Sequence, residues 1–237
     1  MPHIATLESG SSVQRDGLNH QAIEDYLKTI YTLAEAESPV STSRLAEARQ
    51  VKPSSVTNMI QRLDKLKLIH YEKHYGVTLT PHGRKIALEV IRHHRLIELY
   101  LIEALGFSWD EVHEQADILE HVISEKLEER IAAALGHPTV DPHGDPIPQR
   151  DGTIITVEMQ PLSSLQAGDE GEVARIPNDE NSEMLRYLAQ LGLVPGTTVK
   201  VLQVAPFDGP LTLLVDDVEK VVGYAVATAV LVTTPDA

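Results

Sequence analysis

Residues 136–152 read GHPTVDPHGDPIPQRDG, a run so dense in Pro, Gly and Asp that no regular element can pass through it. This stretch divides the chain into halves with different hydrophobic periods. Before it, apolar residues recur every three or four positions, as in helices. After it, short β-branched runs alternate with turn residues, as in a small sheet. The expected class is α+β, and 237 residues with 42% hydrophobic content suit two or more modest domains.

The helical half begins with residues 19–36, where Ile23, Tyr26, Leu27, Ile30, Tyr31, Leu33 and Ala34 line one side and Pro39 follows. A short helix over 41–48 is led by Ser/Thr capping residues, and a third over 53–66 has Pro53 in its first turn. On that third helix Val56, Met59, Ile60, Leu63 and Leu66 share one side. Ser54, Ser55, Thr57, Asn58, Gln61, Arg62 and Lys65 share the other. Two apolar runs, LKLIHYE and GVTLTP, flank the loop 73–76 and predict a hairpin. Helix, turn, helix and hairpin make a winged helix-turn-helix, and small hydroxyls and amides mixed with basic groups can touch phosphates and base edges. A plain three-helix bundle with a polar face fits the same stretch.

The formal charge of −15 argues against nucleic acid only until it is resolved along the chain. Residues 38–86 carry nine Lys/Arg against three Asp/Glu, whereas residues 140–237 carry five against fifteen. The basic segment coincides with the winged helix. A solvated basic face on an ordinary domain gives the same count. Beyond residue 152, runs at 153–157, 171–176, 198–204, 211–215 and 223–232 are expected strands of a small barrel, with one helix over 182–191. No stretch approaches the length of a membrane span, and the first residues lack a basic start followed by an apolar run, so a cytoplasmic protein is expected.

The chain has no cysteine, so any metal must be held by oxygen and nitrogen. Two longer helices are expected over 83–105 and 109–135. On the second, HEQADILEH sets His113, Asp117, Glu120 and His121 at i, i+4, i+7 and i+8, on one stripe. On the first, His94 and Glu98 stand four apart. Asp25 lies beside Tyr26 and Leu27 on an apolar side, where an unpaired carboxylate is costly and a cation is wanted. Each residue alone is more often solvated or paired with a neighbour. As a set they resemble the way helical bundles build divalent metal sites.

Five segments, AIEDYLKTIYTL, VKPSSVTNMIQRLDKLKLIHYEK, GVTLTPHGRKIALEVIRHHRLIELYL, VHEQADILEHVISEKLEERI and HGDPIP, resemble the diphtheria toxin repressor family of metal-dependent regulators, including its manganese transport regulators. The resemblance is close over residues 21–148. Further on, LAQLGLVPG resembles the small Src-homology-type barrel that many members append. It implies a winged-helix DNA-binding domain over 19–82, a helical metal-binding and dimerisation domain over 83–140, a linker over 141–152 and a barrel over 153–237. One metal site would take Asp25, Asp117, Glu120 and His121. A second would take His94, Glu98 and His113, closed by Glu180 and Glu183 from the barrel. Members with a two-metal cluster carry another carboxylate one turn after the first-helix Asp. Lys28 stands there, so separate sites are expected.

Iron-type members carry sulfur residues at the positions of Asp25 and Asp117. Two carboxylates make a harder site, so Mn²⁺ is the expected metal, with Fe²⁺ as the alternative and Zn²⁺, Co²⁺ or Ni²⁺ able to substitute in vitro. The expected function is a metal-activated repressor of metal-homeostasis genes. It would bind a double-stranded operator as a homodimer through an apolar surface of Val112, Ala116, Leu119, Val122, Ile123, Leu127 and Ile131. A carboxylate/His metalloenzyme is the alternative, although such bundles favour paired Glu-x-x-His units that are missing from the sequence. An iron-transport accessory module, suggested by the barrel, leaves the basic segment unexplained.

Overall fold

A computed structural model describes the backbone of residues 10–177 and 181–234, and the side chains of residues 20–177 and 181–234. The chain forms two compact units that divide between Ile91 and Arg92.

The first unit holds α1 (Gly10–Ala36), α2 (Thr42–Ala48), α3 (Pro53–Lys65), the hairpin strands β1 (Ile69–Glu72) and β2 (Gly76–Leu79), and the start of α4 (Pro81–Leu105). Leu27 and Ile30 of α1, Leu45 of α2, and Val56, Ile60 and Leu63 of α3 close one core with Ile69 and Val77. Local chemistry agrees with this packing. The Ser41 hydroxyl accepts the Arg44 N–H at the start of α2, and Pro53 opens α3 where no backbone donor is needed. Strands β1 and β2 pair antiparallel with Ile69 opposite Leu79, and Val40 bridges to Val77 on the hairpin's other edge. This is the expected winged helix-turn-helix.

The second unit holds the rest of α4, then α5 (Val112–Leu119) and α6 (Glu125–Ala134). A single helix was expected over 109–135, but the chain breaks after Glu120. Ser124, whose hydroxyl accepts the Leu127 N–H, caps a new helix, so a local side-chain bond wins over continuation. Ile97 and Leu101 of α4 bury Val112 and Ala116, while Leu96 buries Ile131, Ala132 and Ile147.

A six-stranded antiparallel sheet follows in the order β3-β8-β4-β5-β6-β7. Its strands are β3 (Gln160–Pro161), β4 (Glu170–Arg175), β5 (Thr198–Val204), β6 (Leu211–Val215), β7 (Val218–Val222) and β8 (Leu231–Thr233), with α7 (Ser182–Leu191) and α8 (Tyr224–Ala229) inserted. Val173, Val199, Val201, Leu213 and Val232 form the barrel core with Leu185 and Leu188 of α7, and Trp109 packs against it.

Three sheet expectations change. Residues 153–157 are not a strand, because pairing with the three-residue β8 begins only at Gln160, leaving Ile155 and Val157 exposed. The apolar run 223–232 is mostly α8, since period alone does not separate a short buried helix from a strand. Strand β7 was not anticipated. It follows a two-residue turn in which Asp216 and Asp217 both take positive φ, the turn that suits a twisted hairpin.

Candidate metal centres and nucleic-acid interface

Helix α4 presents His94 and Glu98 one turn apart, and α5 brings His113 and Asp117 against them. His94 Nε2 lies 2.9 Å from Glu98 Oε1, and its Nδ1 lies 2.6 Å from Glu120 Oε2 and 3.4 Å from Asp117 Oδ1. His113 Nδ1 is 3.3 Å from the same Glu98 oxygen and 3.2 Å from His94 Nε2. His94, Glu98 and Glu120 are buried, and ligand atoms of His94, His113 and Asp117 lie within 4.8 Å of one another. The break after Glu120 corrects the single-stripe expectation. Glu120 caps α5 and turns inward, and His121 sits in the following turn with Nε2 3.4 Å from Glu120 Oε1.

A second cluster was missed in the sequence. Glu98, Asp141 and His143 are all buried, and their ligand atoms also lie within 4.8 Å of one another. Asp141 Oδ1 accepts the backbone N–H groups of His143 and Asp145 at 2.8 and 2.9 Å, which shapes the loop as an Asx turn. Its Oδ2 has no hydrogen bond, although Arg95 Nε stands 3.5 Å away. His143 Nε2 is 2.9 Å from the Trp109 carbonyl, which requires the proton on that nitrogen. Its Nδ1 lacks a hydrogen-bond partner and lies 3.9 Å from Glu98 Oε2, which lacks one as well. Three buried ligand atoms left over after the local hydrogen bonds are satisfied form a donor set that fits a divalent cation.

The electrostatics agree. Burial pushes the Asp141 carboxyl well above the usual range, helped by the charges of Asp145 and Glu98 and opposed by Arg95. For Glu98 burial acts the same way, but the imidazoles of His94, His113 and His143 outweigh it and hold its carboxyl below the usual range. Glu98 thus faces both clusters, Oε1 toward His94 and His113 and Oε2 toward His143.

The loop that carries this cluster begins the stretch expected as a linker, and it is packed. Asp141 N–H donates to the Asp145 carbonyl, Ile176 N–H donates to the His143 carbonyl, and Arg95 reaches Pro146 O and Asp145. Gly144 has φ +84°, and a Cβ there would stand 1.9 Å from the Ala174 carbonyl oxygen, so only glycine permits this approach. The signal in the sequence was DPHGD itself, whose ligand-type residues were absorbed into a turn-rich boundary.

The remaining candidate ligands are placed as follows. Asp25 is half-buried, and its Oδ2 pairs with Arg49 Nη2 at 2.7 Å. Glu183 is exposed in the first turn of α7, and Glu180 lies outside the described residues.

On α3 the expected faces separate except at Leu66, which stands at the helix's C-cap and is exposed. Val56, Ile60 and Leu63 are buried, while Ser54, Ser55, Thr57, Asn58, Gln61 and Lys65 are exposed and Arg62 is half-buried. The Thr57 hydroxyl donates to the Pro53 carbonyl at 3.0 Å, leaving its lone pairs as acceptors. No helix among the described residues is long and apolar enough to cross a membrane.

Comparison with known proteins follows the same division. The N-terminal DNA-binding domain of iron-dependent repressors matches residues 20–77, their metal-binding and dimerisation domain matches 80–149, and the FeoA domain matches 160–234. The chain is 31% identical over 220 residues to the diphtheria toxin repressor of Corynebacterium efficiens, covering 84% of this chain and 96% of that one. A solved structure described as a manganese-dependent transcriptional repressor in complex with manganese shares 40% identity at a TM-score of 0.80, covering 90% of this chain and 99% of that one. ScaR with bound Cd²⁺ shares 32% identity at a TM-score of 0.73, again over 90% and 99%. The FeoA likeness is confined to the barrel, so the accessory-module and metalloenzyme readings fall away. The chain belongs to the diphtheria toxin repressor family of metal-dependent transcriptional repressors.

Proposed function

We propose that this repressor responds to Mn²⁺, bound at two centres made only of carboxylates and imidazoles, and that it binds an operator duplex as a homodimer. The observation that carries the reading is that Glu98, Asp141 and His143 bring ligand atoms within 4.8 Å of one another, while Glu98 Oε2, Asp141 Oδ2 and His143 Nδ1 are buried and without hydrogen-bond partners. Hard oxygen and nitrogen donors suit Mn²⁺, and selection over later metals then depends on geometry and availability. The iron-type family descriptions make Fe²⁺ the second metal to test.

The first centre would take Asp25, Asp117, Glu120 and His121. The second would take Glu98, Asp141 and His143, with His94 and His113 on the other side of Glu98. Glu183, and Glu180 outside the described residues, are the proposed closing carboxylates from the barrel. A bound cation supplies positive charge where Glu98 and Asp141 face each other. This chain's residues do the rest: His143 is locked in one tautomer by the Trp109 carbonyl, and Asp141 is aimed by two backbone donors. For dimerisation, Val112, Ala116 and Ile131 of the expected surface are buried within the chain, whereas Leu119, Val122 and Leu127, together with Ile118, are exposed apolar groups on α5, α6 and the turn between them, suited to a second copy.

On DNA, α3 would enter the major groove, with Arg62 and Lys65 on phosphates and Ser54, Ser55, Thr57, Asn58 and Gln61 near base edges. Trp109, the sole tryptophan, stacks on His143 with centroids 5.4 Å apart and so serves as a built-in probe. Adding Mn²⁺ to the full chain should change its emission, and Glu98→Gln should weaken that response at least tenfold in Mn²⁺ concentration, roughly the loss of one charged ligand. Emission indifferent to Mn²⁺ in the wild type would sink the second centre.

A further inference from the structure

Asp25 on α1 and Arg49 at the end of α2 meet within the winged unit, Oδ2 to Nη2, at 2.7 Å. Neither side chain is freely solvated: Arg49 keeps 31% of its exposure and Asp25 27%. The guanidinium carbon stands 5.5 Å from the centre of the Tyr26 ring, a buried aromatic whose face attracts a cation. Arg49 Nε is buried and has no hydrogen-bond partner. An arginine at a short helix's C-cap can extend into water with all five donors satisfied. This one is drawn inward at the expense of a donor, and what it meets there is the Asp25 carboxylate.

We propose that Arg49 is an internal competitor for Asp25, a residue that sets how much divalent metal the repressor needs before it responds; this rests on the reading of Asp25 as a first-centre ligand. A carboxylate lone pair given to a divalent cation is no longer available to a guanidinium. If Arg49 instead stayed on the same oxygen's other side, a full positive charge would remain beside a doubly charged ion. Either way the arginine lowers metal affinity. Because Arg49 is the C-cap residue of α2, exchanging it for a metal at Asp25 also changes what ties α2 to α1 inside the helix-turn-helix.

The test is calorimetric titration of Mn²⁺ into the full chain as wild type, Arg49→Met, Asp25→Asn and the double variant. Met keeps an apolar stem against Tyr26 and removes the charge. The binding step that Asp25→Asn weakens should tighten roughly two- to fivefold in Arg49→Met, the range of a partly exposed ion pair. In the Asp25→Asn background Arg49→Met should change nothing. A readout without metal accompanies it: in EDTA, Arg49→Met should melt below wild type because the Asp25–Arg49 ion pair is lost. Arg49→Gln, which keeps a donor without the charge, carries the same expectations if the Met variant does not fold. A step that is unchanged or weaker in Arg49→Met while Asp25→Asn remains defective overturns the competitor role and leaves Asp25 as a ligand. If Asp25→Asn itself binds Mn²⁺ like wild type, the ligand reading fails and the competitor role falls with it.

Discussion

Helix α3 and the loop 141–148 are both polar stretches with opposite surroundings. On α3, Ser54, Ser55, Thr57, Asn58, Gln61 and Lys65 face solvent over a conventional apolar stripe. In the loop, Asp141, His143 and Asp145 are buried, and Ile147 joins the helical core beside them. Exposed polarity costs the fold little and leaves the groups available to an outside partner. Buried polarity is expensive unless every charge is answered. Arg95 and Arg175 answer Asp145, but Asp141 Oδ2, His143 Nδ1 and Glu98 Oε2 remain without hydrogen bonds. Substitutions in the loop should therefore change stability and metal binding together, whereas those on α3 should change DNA binding alone.

The largest effect is expected at Asp141. Its carboxyl is pushed up by burial first and then by Asp145 and Glu98, so the folded chain keeps a proton that the unfolded chain has released. Stability from this group is fully present below the ordinary carboxylate range and drains away as pH rises through the raised value. Asp141→Asn keeps the acceptor for the two backbone N–H groups and removes the charge. In EDTA above neutral pH it should melt roughly 2–4 °C higher than wild type, the size of a 1 kcal/mol change in a chain of this length. The advantage should vanish at acid pH and reverse under saturating Mn²⁺, where only wild type gains the stabilisation of bound ligand. Melting curves across pH, with and without Mn²⁺, decide the matter; a variant that gains stability equally in both would remove Asp141 from the centre.

The smallest stability effects are expected on α3. Asn58→Ala and Lys65→Ala should shift unfolding by no more than about 0.5 kcal/mol. Lys65→Ala should weaken binding to all duplexes alike and flatten the salt dependence, whereas Asn58→Ala should change which sequence is preferred. Uniform effects from both would mean that this face reads DNA shape.

The same contrast explains what could be read in advance. α3 declares itself because burial on a helix follows its own 3.6-residue period, so its inward and outward sides were separable residue by residue. His94, Glu98, His113 and Asp117 were legible for the same reason. The break after Glu120 was not, since it depends on Ser124 capping a new helix rather than on any loss of periodicity. Asp141 and His143 were hidden further: the loop has no period, and its burial comes from Ile176, Ala174 and Arg95, which are remote in sequence. Arg49 escaped notice because its role depends on Asp25, twenty-four positions away.

The central claim, that metal held by these carboxylates and imidazoles controls DNA binding, is tested most directly by one titration. A duplex selected from a random pool with the full chain and Mn²⁺ would be bound again at fixed protein concentration, first with Mn²⁺, then with excess EDTA, then with Mn²⁺ restored. The account predicts binding, release and recovery, and by linkage the duplex should tighten Mn²⁺ binding by the same factor that Mn²⁺ tightens binding to the duplex. Equal affinity for the duplex with Mn²⁺ and with EDTA would contradict it.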